Sequence, residues 1–188
     1  MATISNLDQL DVRLAYETVL LREPEAAGWV YWTQQASSGN LGYFKIADLL
    51  SKSVEGVSVQ KSAEVASIYA VFLGREPDAQ GFGFWNDLYQ ANKITLQQIS
   101  ESFASSVEYK KLYSSALNNE QLVSQMYANL YGHAATSSVK SAYVAELDAG
   151  KTVAEVMVDI IENSQNKFLN ADSSLISDYG YSQSVSYT

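Results

Sequence analysis

Cysteine is absent from this chain of 188 residues, which also has two prolines and one histidine. Disulfides and thiolate metal sites are therefore excluded, and one histidine cannot build a conventional zinc site. No stretch of apolar residues approaches the roughly twenty that a membrane-spanning helix needs. The sequence thus predicts a protein without structural zinc, without disulfides and without transmembrane insertion.

Positive charge is also scarce, with 12 Lys and Arg against 21 Asp and Glu and a net charge of −9. Nucleic-acid binding depends on clustered Lys and Arg that neutralise phosphates, whereas the basic residues here are scattered along the chain. We therefore expect no nucleic-acid partner. Contact with an anionic membrane surface is disfavoured for the same reason, unless divalent cations bridge the two.

Several motifs that would assign a chemistry are missing. The sequence contains no EF-hand loop, no glycine–aspartate calcium repeat, no phosphate-binding glycine loop and no nucleophile elbow. The N-terminus lacks the basic and apolar regions of a cleaved signal peptide, so the protein either stays in the cytoplasm or leaves through a signal elsewhere. The many acids leave carboxylate pairs for glycoside hydrolysis open, although no motif singles out one pair.

What the chain does contain is a motif that occurs twice, 53 positions apart. Each copy runs from a tyrosine to a tryptophan, Tyr16 to Trp32 and then Tyr69 to Trp85, with Arg-Glu-Pro, an acid, an alanine and a glycine between them. A weaker third copy starts 58 positions later at Tyr127. A period near fifty is typical of repeat architectures, and terminal repeats are commonly atypical. We therefore expect three units, the last a divergent cap.

The predicted units cover residues 1–57, 58–115 and 116–169, and residues 170–188 are expected to begin a linker to a downstream region. Apolar residues recur with the period of helices, and capping-box spacings start at Ser5, Thr95 and Thr152. The prediction is an all-α protein of about nine helices in three repeated three-helix units. The expected helices cover residues 6–21, 26–38, 43–53, 59–73, 79–91, 96–112, 119–131, 138–149 and 153–168.

Each of the first two copies pairs a glycine with a tryptophan four residues later, Gly28 with Trp32 and Gly81 with Trp85. This spacing places both residues on one helical face. We interpret the glycine as a point of close helix approach that the tryptophan covers; a stacking platform for a ligand is the alternative. Gly81→Leu is then expected to overpack the junction and cost about 1–3 kcal/mol.

Arg22 and Arg75 lie in the corners between the first two helices of their copies. The structural interpretation is that the guanidinium binds loop carbonyls, bonds to Glu55 or Glu108, or stacks on an aromatic ring. Anion binding is the functional alternative. His133 takes the same place in the third copy, which favours a structural substitution over catalysis.

The thirteen tyrosines are the best remaining hint of a binding surface. Those that recur at the start of each copy are expected to be buried. An exposed tyrosine offers a flat apolar ring with a polar tip, which suits contact with sugars or proteins, although ordinary packing is the alternative for each one. The candidate ligand-binding residues are the two corner arginines and the tyrosines that differ between copies: Tyr31, Tyr43, Tyr89, Tyr113 and Tyr131.

The string Leu73–Trp85, followed by Ser106–Tyr109, resembles a bacterial helical domain of unknown function. The resemblance covers about residues 10–168 and is closest in the second copy; in the first, Leu21 replaces the family's usual glycine. That family recurs in S-layer proteins and in calcium-rich surface proteins exported by type I secretion. The position of the array further resembles the N-terminal region that anchors Gram-negative S-layer proteins to the O-polysaccharide of lipopolysaccharide, with calcium assisting assembly.

This resemblance implies an extracellular protein at the cell surface, exported without an N-terminal signal peptide. The expected function is a non-catalytic anchor that binds surface polysaccharide or lipopolysaccharide in grooves between units. The first alternative is a protein-interaction module that associates with other copies of itself through outer helix faces, and the second is a glycan-active enzyme. Calcium is a candidate ion, and no catalytic residue or metal ligand is assigned.

Overall fold

The computed structural model describes residues 4–39, 41–113 and 117–169, with the backbone alone for 164–169. Ten α-helices and no β-strand lie in these ranges, so the all-α prediction is confirmed. None of these helices combines the length and the apolarity that a membrane crossing needs. The helices are α1 (Asn6–Val19), α2 (Ala26–Ser37), α3 (Tyr43–Ser51), α4 (Val54–Leu73), α5 (Ala79–Gln90), α6 (Leu96–Ser105), α7 (Val107–Leu112), α8 (Asn119–Tyr131), α9 (Ser137–Asp148) and α10 (Val153–Leu169).

The described residues divide into two compact units, one within residues 4–60 with 165–169 and the other within residues 61–164. In the first unit, α1 packs against α2 and α3 around a small core. In the second unit, a larger core draws on α4, α6, α8 and α10. Ile46, Ile99 and Met157, which the offsets of 53 and 58 positions align, are each fully buried. The boundaries of the three repeated units stay a prediction.

The predicted helix starts are confirmed by their hydrogen bonds. The Ser5 hydroxyl accepts from the Asp8 N–H at 3.1 Å while the Asp8 carboxylate accepts from the Ser5 N–H at 2.8 Å. Reciprocal bonds of the same kind begin α6 at Thr95 and α10 at Thr152. These caps satisfy backbone donors that have no partner inside the helix. Glycines with positive φ, the conformation typical of helix C-caps, follow four helices: Gly39, Gly74, Gly132 and Gly150.

The prediction of one helix over residues 96–112 is wrong, and the structure has ten helices in the described ranges where about nine were expected. Ser106 has an extended backbone (φ −65°, ψ 153°) that separates α6 from α7. Its hydroxyl accepts from the Tyr109 N–H at 3.1 Å and so caps α7. Serine favours such a cap over a helix interior because its hydroxyl competes for nearby backbone groups.

Helix α1 carries two apolar faces rather than the single broad stripe that its periodicity indicates. Val12 and Ala15 are fully buried against the rest of the first unit. In contrast, Leu7, Leu10 and Leu14 remain 53%, 48% and 38% exposed. Periodicity identifies apolar positions but does not tell which of them a neighbouring element covers.

Candidate functional site

The corner between α1 and α2 (residues 20–25, the first corner) is organised by Arg22. Its guanidinium binds both carboxylate oxygens of Glu55, at 2.6 and 2.8 Å, and also donates to Glu25 at 2.7 Å. The guanidinium carbon lies 5.2 Å from the centre of the Tyr16 ring. Hydrogen bonds from Arg22 lower the pKa of Glu55 and of Glu25, so the negatively charged form of both carboxylates is favoured beside the guanidinium.

The corner between α4 and α5 (residues 73–78, the second corner) repeats this arrangement. Arg75 binds both carboxylate oxygens of Glu108, at 2.7 and 3.1 Å, and donates to the carbonyl of Glu76 at 3.0 Å. It lies 5.3 Å from the centre of the Tyr69 ring. Two parallel bonds to one carboxylate fix the guanidinium more firmly than a single contact would. The structural interpretation of both arginines is therefore confirmed, while anion binding by either stays a prediction.

The repeated glycines make room for a tyrosine hydroxyl. A Cβ built on Gly28 would overlap the hydroxyl of Tyr16, and one built on Gly81 would overlap that of Tyr69. The close approach at each glycine is thus made by a tyrosine side chain of the preceding helix. Asp78 caps α5, because its carboxylate accepts from the Gly81 N–H at 2.9 Å.

The corner between α8 and α9 (residues 131–136, the third corner) is built differently. Gly132 keeps the left-handed conformation, with φ 72°. His133 is exposed and its ring lies 5.9 Å from the rings of both Tyr127 and Tyr131. Val139 stands where Gly28 and Gly81 stand in the other copies. The third corner therefore has an aromatic contact where the others have a guanidinium–carboxylate pair.

An exposed aromatic ring precedes the tryptophan in both of the first two copies. Tyr31 is 55% exposed and its ring lies edge-on to Trp32 at 5.0 Å; Phe84 is 58% exposed and lies edge-on to Trp85, also at 5.0 Å. The tryptophans are half-buried and pack against the cores of their own units. We call the exposed rings the two aromatic platforms. Tyr31 is one of the predicted ligand-binding residues, whereas Phe84 is not, although the 53-residue offset aligns them.

The other candidate tyrosines are half-buried and use their hydroxyls within the protein. The Tyr43 hydroxyl lies 3.1 Å from that of Thr18. Tyr89 donates to Glu64 at 2.7 Å, and burial followed by that bond raises the pKa of Tyr89. Tyr113 accepts from the Asn129 amide at 3.3 Å. Tyr131 donates to the carbonyl of Ile160 at 3.4 Å. A ligand role for these four stays a prediction, without an exposed ring to support it.

A shallow groove of about 430 Å³ runs between α4 and α8 in the second unit. The α4 side of the groove is lined by residues with small side chains: Ala66, Ser67, Ala70 and Gly74. Polar groups stand at one end and along the α8 side: Arg75, Glu76 and Asn129. This α4–α8 groove separates the predicted second and third copies, where the sequence predicts a ligand groove; ligand binding there stays a prediction.

Metal ligation and acid chemistry have little support in the described ranges. No group of three or more His, Asp or Glu side chains there is arranged to hold a metal ion. Asp148 accepts from the Asn119 amide at 2.7 Å. Burial, with Glu64 adding to it, raises the pKa of Glu162. Neither Glu64 nor Glu162 lines the α4–α8 groove.

Residues 100–170 match the family model described as a domain of unknown function (DUF4214). The matched stretch includes Ser106–Tyr109 and the third copy, whereas the string Leu73–Trp85 lies outside it. The predicted resemblance to a domain of unknown function is confirmed to that extent. No curated protein and no solved structure matches the chain at a significant level. The S-layer setting and the export route stay predictions.

Proposed function

We propose that this protein is a non-catalytic binding module that attaches the protein containing it to polysaccharide at a bacterial cell surface. The observation that carries the proposal is the pair of aromatic platforms. Tyr31 and Phe84 occupy equivalent positions, are more than half exposed and meet the following tryptophan at the same distance. A ring that packing alone placed would gain more from burial than from such exposure.

A flat exposed ring suits the apolar face of a sugar, because it offers rigid contact area at low entropic cost. The half-buried tryptophan behind each platform restricts how that ring turns. Polar side chains near Tyr31 on the same helix, at Gln34 and Gln35, supply amides for sugar hydroxyls. Each platform by itself is a weak site, since a single ring contact contributes about 1 kcal/mol.

Two equal weak sites favour a ligand that itself repeats. A polysaccharide presents the same sugar unit many times, so a single polysaccharide molecule engages both platforms. Once the first platform is bound, the high effective concentration of sugar at the second raises the overall affinity. The net charge of −9 opposes nucleic acid, which also offers repeated stacking surfaces. The α4–α8 groove, with the Asn129 amide and the Arg75 guanidinium at its edges, is a second place where sugar hydroxyls find partners.

The surface setting rests on the resemblance to the N-terminal anchoring region of Gram-negative S-layer proteins, and it makes the O-polysaccharide of lipopolysaccharide the first ligand to test. Calcium enters as a bridge rather than as a resident cofactor. If the polysaccharide is acidic, a divalent cation between it and this acidic protein lowers their mutual repulsion.

The test is calorimetric titration of the full chain with O-polysaccharide from the strain that encodes it, with calcium and with a chelator. We expect saturable binding by the unaltered protein and a loss of at least about tenfold, or about 1.4 kcal/mol, in the Tyr31→Ala/Phe84→Ala variant. Phe44→Ala is the matched control, because Phe44 is 61% exposed and meets Tyr43 edge-on but has Gln97 as its counterpart in the second copy. Absence of heat with folded protein, or equal loss in the control, contradicts the proposal.

Self-association is the second candidate function, and one specific observation favours it: the exposed leucines of α1. A glycan-active enzyme has less support, because no carboxylate pair lines the groove of the second unit. Turnover of the polysaccharide during the titration would reverse that order.

A further inference from the structure

The exposed face of α1 is formed by Leu7, Leu10 and Leu14, each between 38% and 53% exposed. Ile4, two residues before the helix, is also 40% exposed. The opposite side of the helix, with Val12 and Ala15, is fully buried. An apolar stripe on the free side of a helix that already has a covered face is costly in water unless something packs on it.

The second unit shows what packs on this face in an equivalent helix. Leu14 of α1 corresponds to Ser67 of α4, and Leu21 corresponds to Gly74 directly after α4; Ser67 and Gly74 line the groove against α8. There the Asn129 amide of α8 donates to the carbonyl of Val71 at 3.3 Å. On α4, therefore, this side of the helix receives the first helix of another copy.

The same face is apolar in α1 but not in α8. The counterparts of Leu10 and Leu14 on α8 are Gln121 and Gln125, which line an open surface with Ser124. A polar outer face is what a terminal repeat needs to stay solvated. Leucines at these positions indicate that the face of α1 has an apolar partner instead.

The spacing and charges of α1 fit a second α1 as that partner. Leu7, Leu10 and Leu14 follow the three-and-four spacing of the seam between paired helices. An antiparallel pairing that sets Leu7 against Leu14 of the second copy also sets Arg13 against Asp8 of that copy. Arg13 bonds to Glu23 of its own chain at 3.2 Å but is 55% exposed, so opposite charges still meet beside the seam. Such an interface is isologous and closes at two chains.

We propose that the leucine face of α1 is a self-association surface on which α1 of a second copy of this chain packs antiparallel. The inference is independent of the aromatic platforms, since none of Leu7, Leu10 or Leu14 belongs to them. A seam of three leucines on a helix of 14 residues is small beside stable dimer interfaces, which bury about 1,200 Å² or more. We therefore expect a weak dimer, whose share of the protein rises as the protein concentration is increased.

Sedimentation velocity of the full chain over a concentration series tests the proposal. We expect the unaltered protein to move from the mass of one chain toward that of two, and Leu10→Lys/Leu14→Lys to stay at one. Gln121→Lys/Gln125→Lys is the matched control, because it places the same two lysines on the corresponding face of α8; it should dimerise like the unaltered protein. Circular dichroism checks that every variant is folded.

A cross-linking measurement covers the case in which the lysine variant fails to fold. The chain has no cysteine, so Leu10→Cys introduces a single thiol near the two-fold axis of the antiparallel pair. Mild oxidation should convert this variant to a disulfide-linked dimer, while Gln121→Cys should remain mostly monomeric. A single-chain mass at every concentration, or equal cross-linking of both variants, overturns the proposal. Polysaccharide binding that persists in Leu10→Lys/Leu14→Lys would show that the two proposals stand or fall separately.

Discussion

The second and third corners join the same kind of helix pair with different chemistry. In the second corner, Arg75 is fixed by Glu108 and Tyr69, and Gly81 leaves room for a hydroxyl. In the third, His133 replaces the arginine. Core positions such as Ile99 and Met157 remain fully buried in both copies. The third copy therefore keeps its buried core position although it lacks the arginine–glutamate pair. The pair thus stabilises the local geometry of the corner rather than the fold as a whole.

The aromatic platform is lost together with the corner. Phe84 has Ala142 as its counterpart in the third copy, whereas the first copy has Tyr31. A copy that serves packing alone needs neither the fixed corner nor the exposed ring. This difference supports assigning ligand contact to the first and second copies and a capping role to the third.

The largest expected effect comes from filling the space above the Tyr69 hydroxyl. Gly81→Ala places a Cβ on that hydroxyl, so the ring or α5 must shift, at a cost of about 1–3 kcal/mol in free energy of unfolding. Gly81→Leu, with more atoms, should cost at least as much. Urea unfolding followed by circular dichroism measures the change.

Gly83→Ala is the matched control for this substitution. Gly83 lies two residues further along α5, and a Cβ there meets no atom within 4 Å. Because alanine favours a helix interior over glycine, this variant should gain about 0.5–1 kcal/mol. Two alanine substitutions in one helix should thus have opposite signs, and a shared sign would contradict the account of Gly81.

A smaller effect should follow from relieving the first corner. Leu21 has φ 54°, in the left-handed region where Gly74 and Gly132 stand in the other copies. This conformation costs a residue with a Cβ roughly 1–2 kcal/mol. Leu21→Gly should therefore raise the free energy of unfolding of the first unit by about 1 kcal/mol. A melting temperature that falls would mean that the Leu21 side chain, which is 71% exposed, contributes packing that its exposure does not suggest.

The smallest effect should come from giving the second corner the residue of the third. Arg75→His removes the paired bonds between Arg75 and Glu108. Because both side chains are partly exposed, we expect the free energy of unfolding to fall by less than about 1 kcal/mol at neutral pH. Arg75 lowers the pKa of Glu108. Between the folded and unfolded pKa values the unfolded chain binds more protons, so the stabilisation is present above the ordinary glutamate pKa and disappears as the pH falls through the folded one.

Unfolding measured from neutral to acidic pH checks this sign. The difference between the unaltered protein and Glu108→Gln should shrink toward zero as the solution becomes more acidic. Glu101→Gln, on the neighbouring helix α6, is the control for removing one negative charge. A gap that widens on acidification would contradict the assigned direction.

The residues of the first two corners can be identified from the sequence because they recur at a fixed offset. Glu55 and Glu108 are among the predicted partners of Arg22 and Arg75, together with loop carbonyls and an aromatic ring, and all three kinds of contact form. The break at Ser106 was missed because apolar periodicity continues across it. The exposure of Leu7 and Leu10 was missed because a pattern of apolar residues does not reveal which face lacks a neighbour.

Phe84 shows what a closer comparison of the copies can add. Tyr31 is predicted to be a position that differs between copies, yet its counterpart Phe84 is also aromatic, and both rings are exposed. The ligand of such rings is not encoded in their spacing, because the same exposed ring suits a sugar or another protein.

The measurement that tests the central claim most directly compares the polymer with one of its own short fragments. Isothermal titration would use the O-polysaccharide and an oligosaccharide of a single repeat unit, with the unaltered protein, Tyr31→Ala and Phe84→Ala. If the two platforms share one polymer, the unaltered protein binds the polymer at least about a hundredfold more tightly than the fragment, and either single variant loses most of that gain while still binding the fragment. Equal affinity for polymer and fragment, or single variants that keep the full gain, would contradict the account.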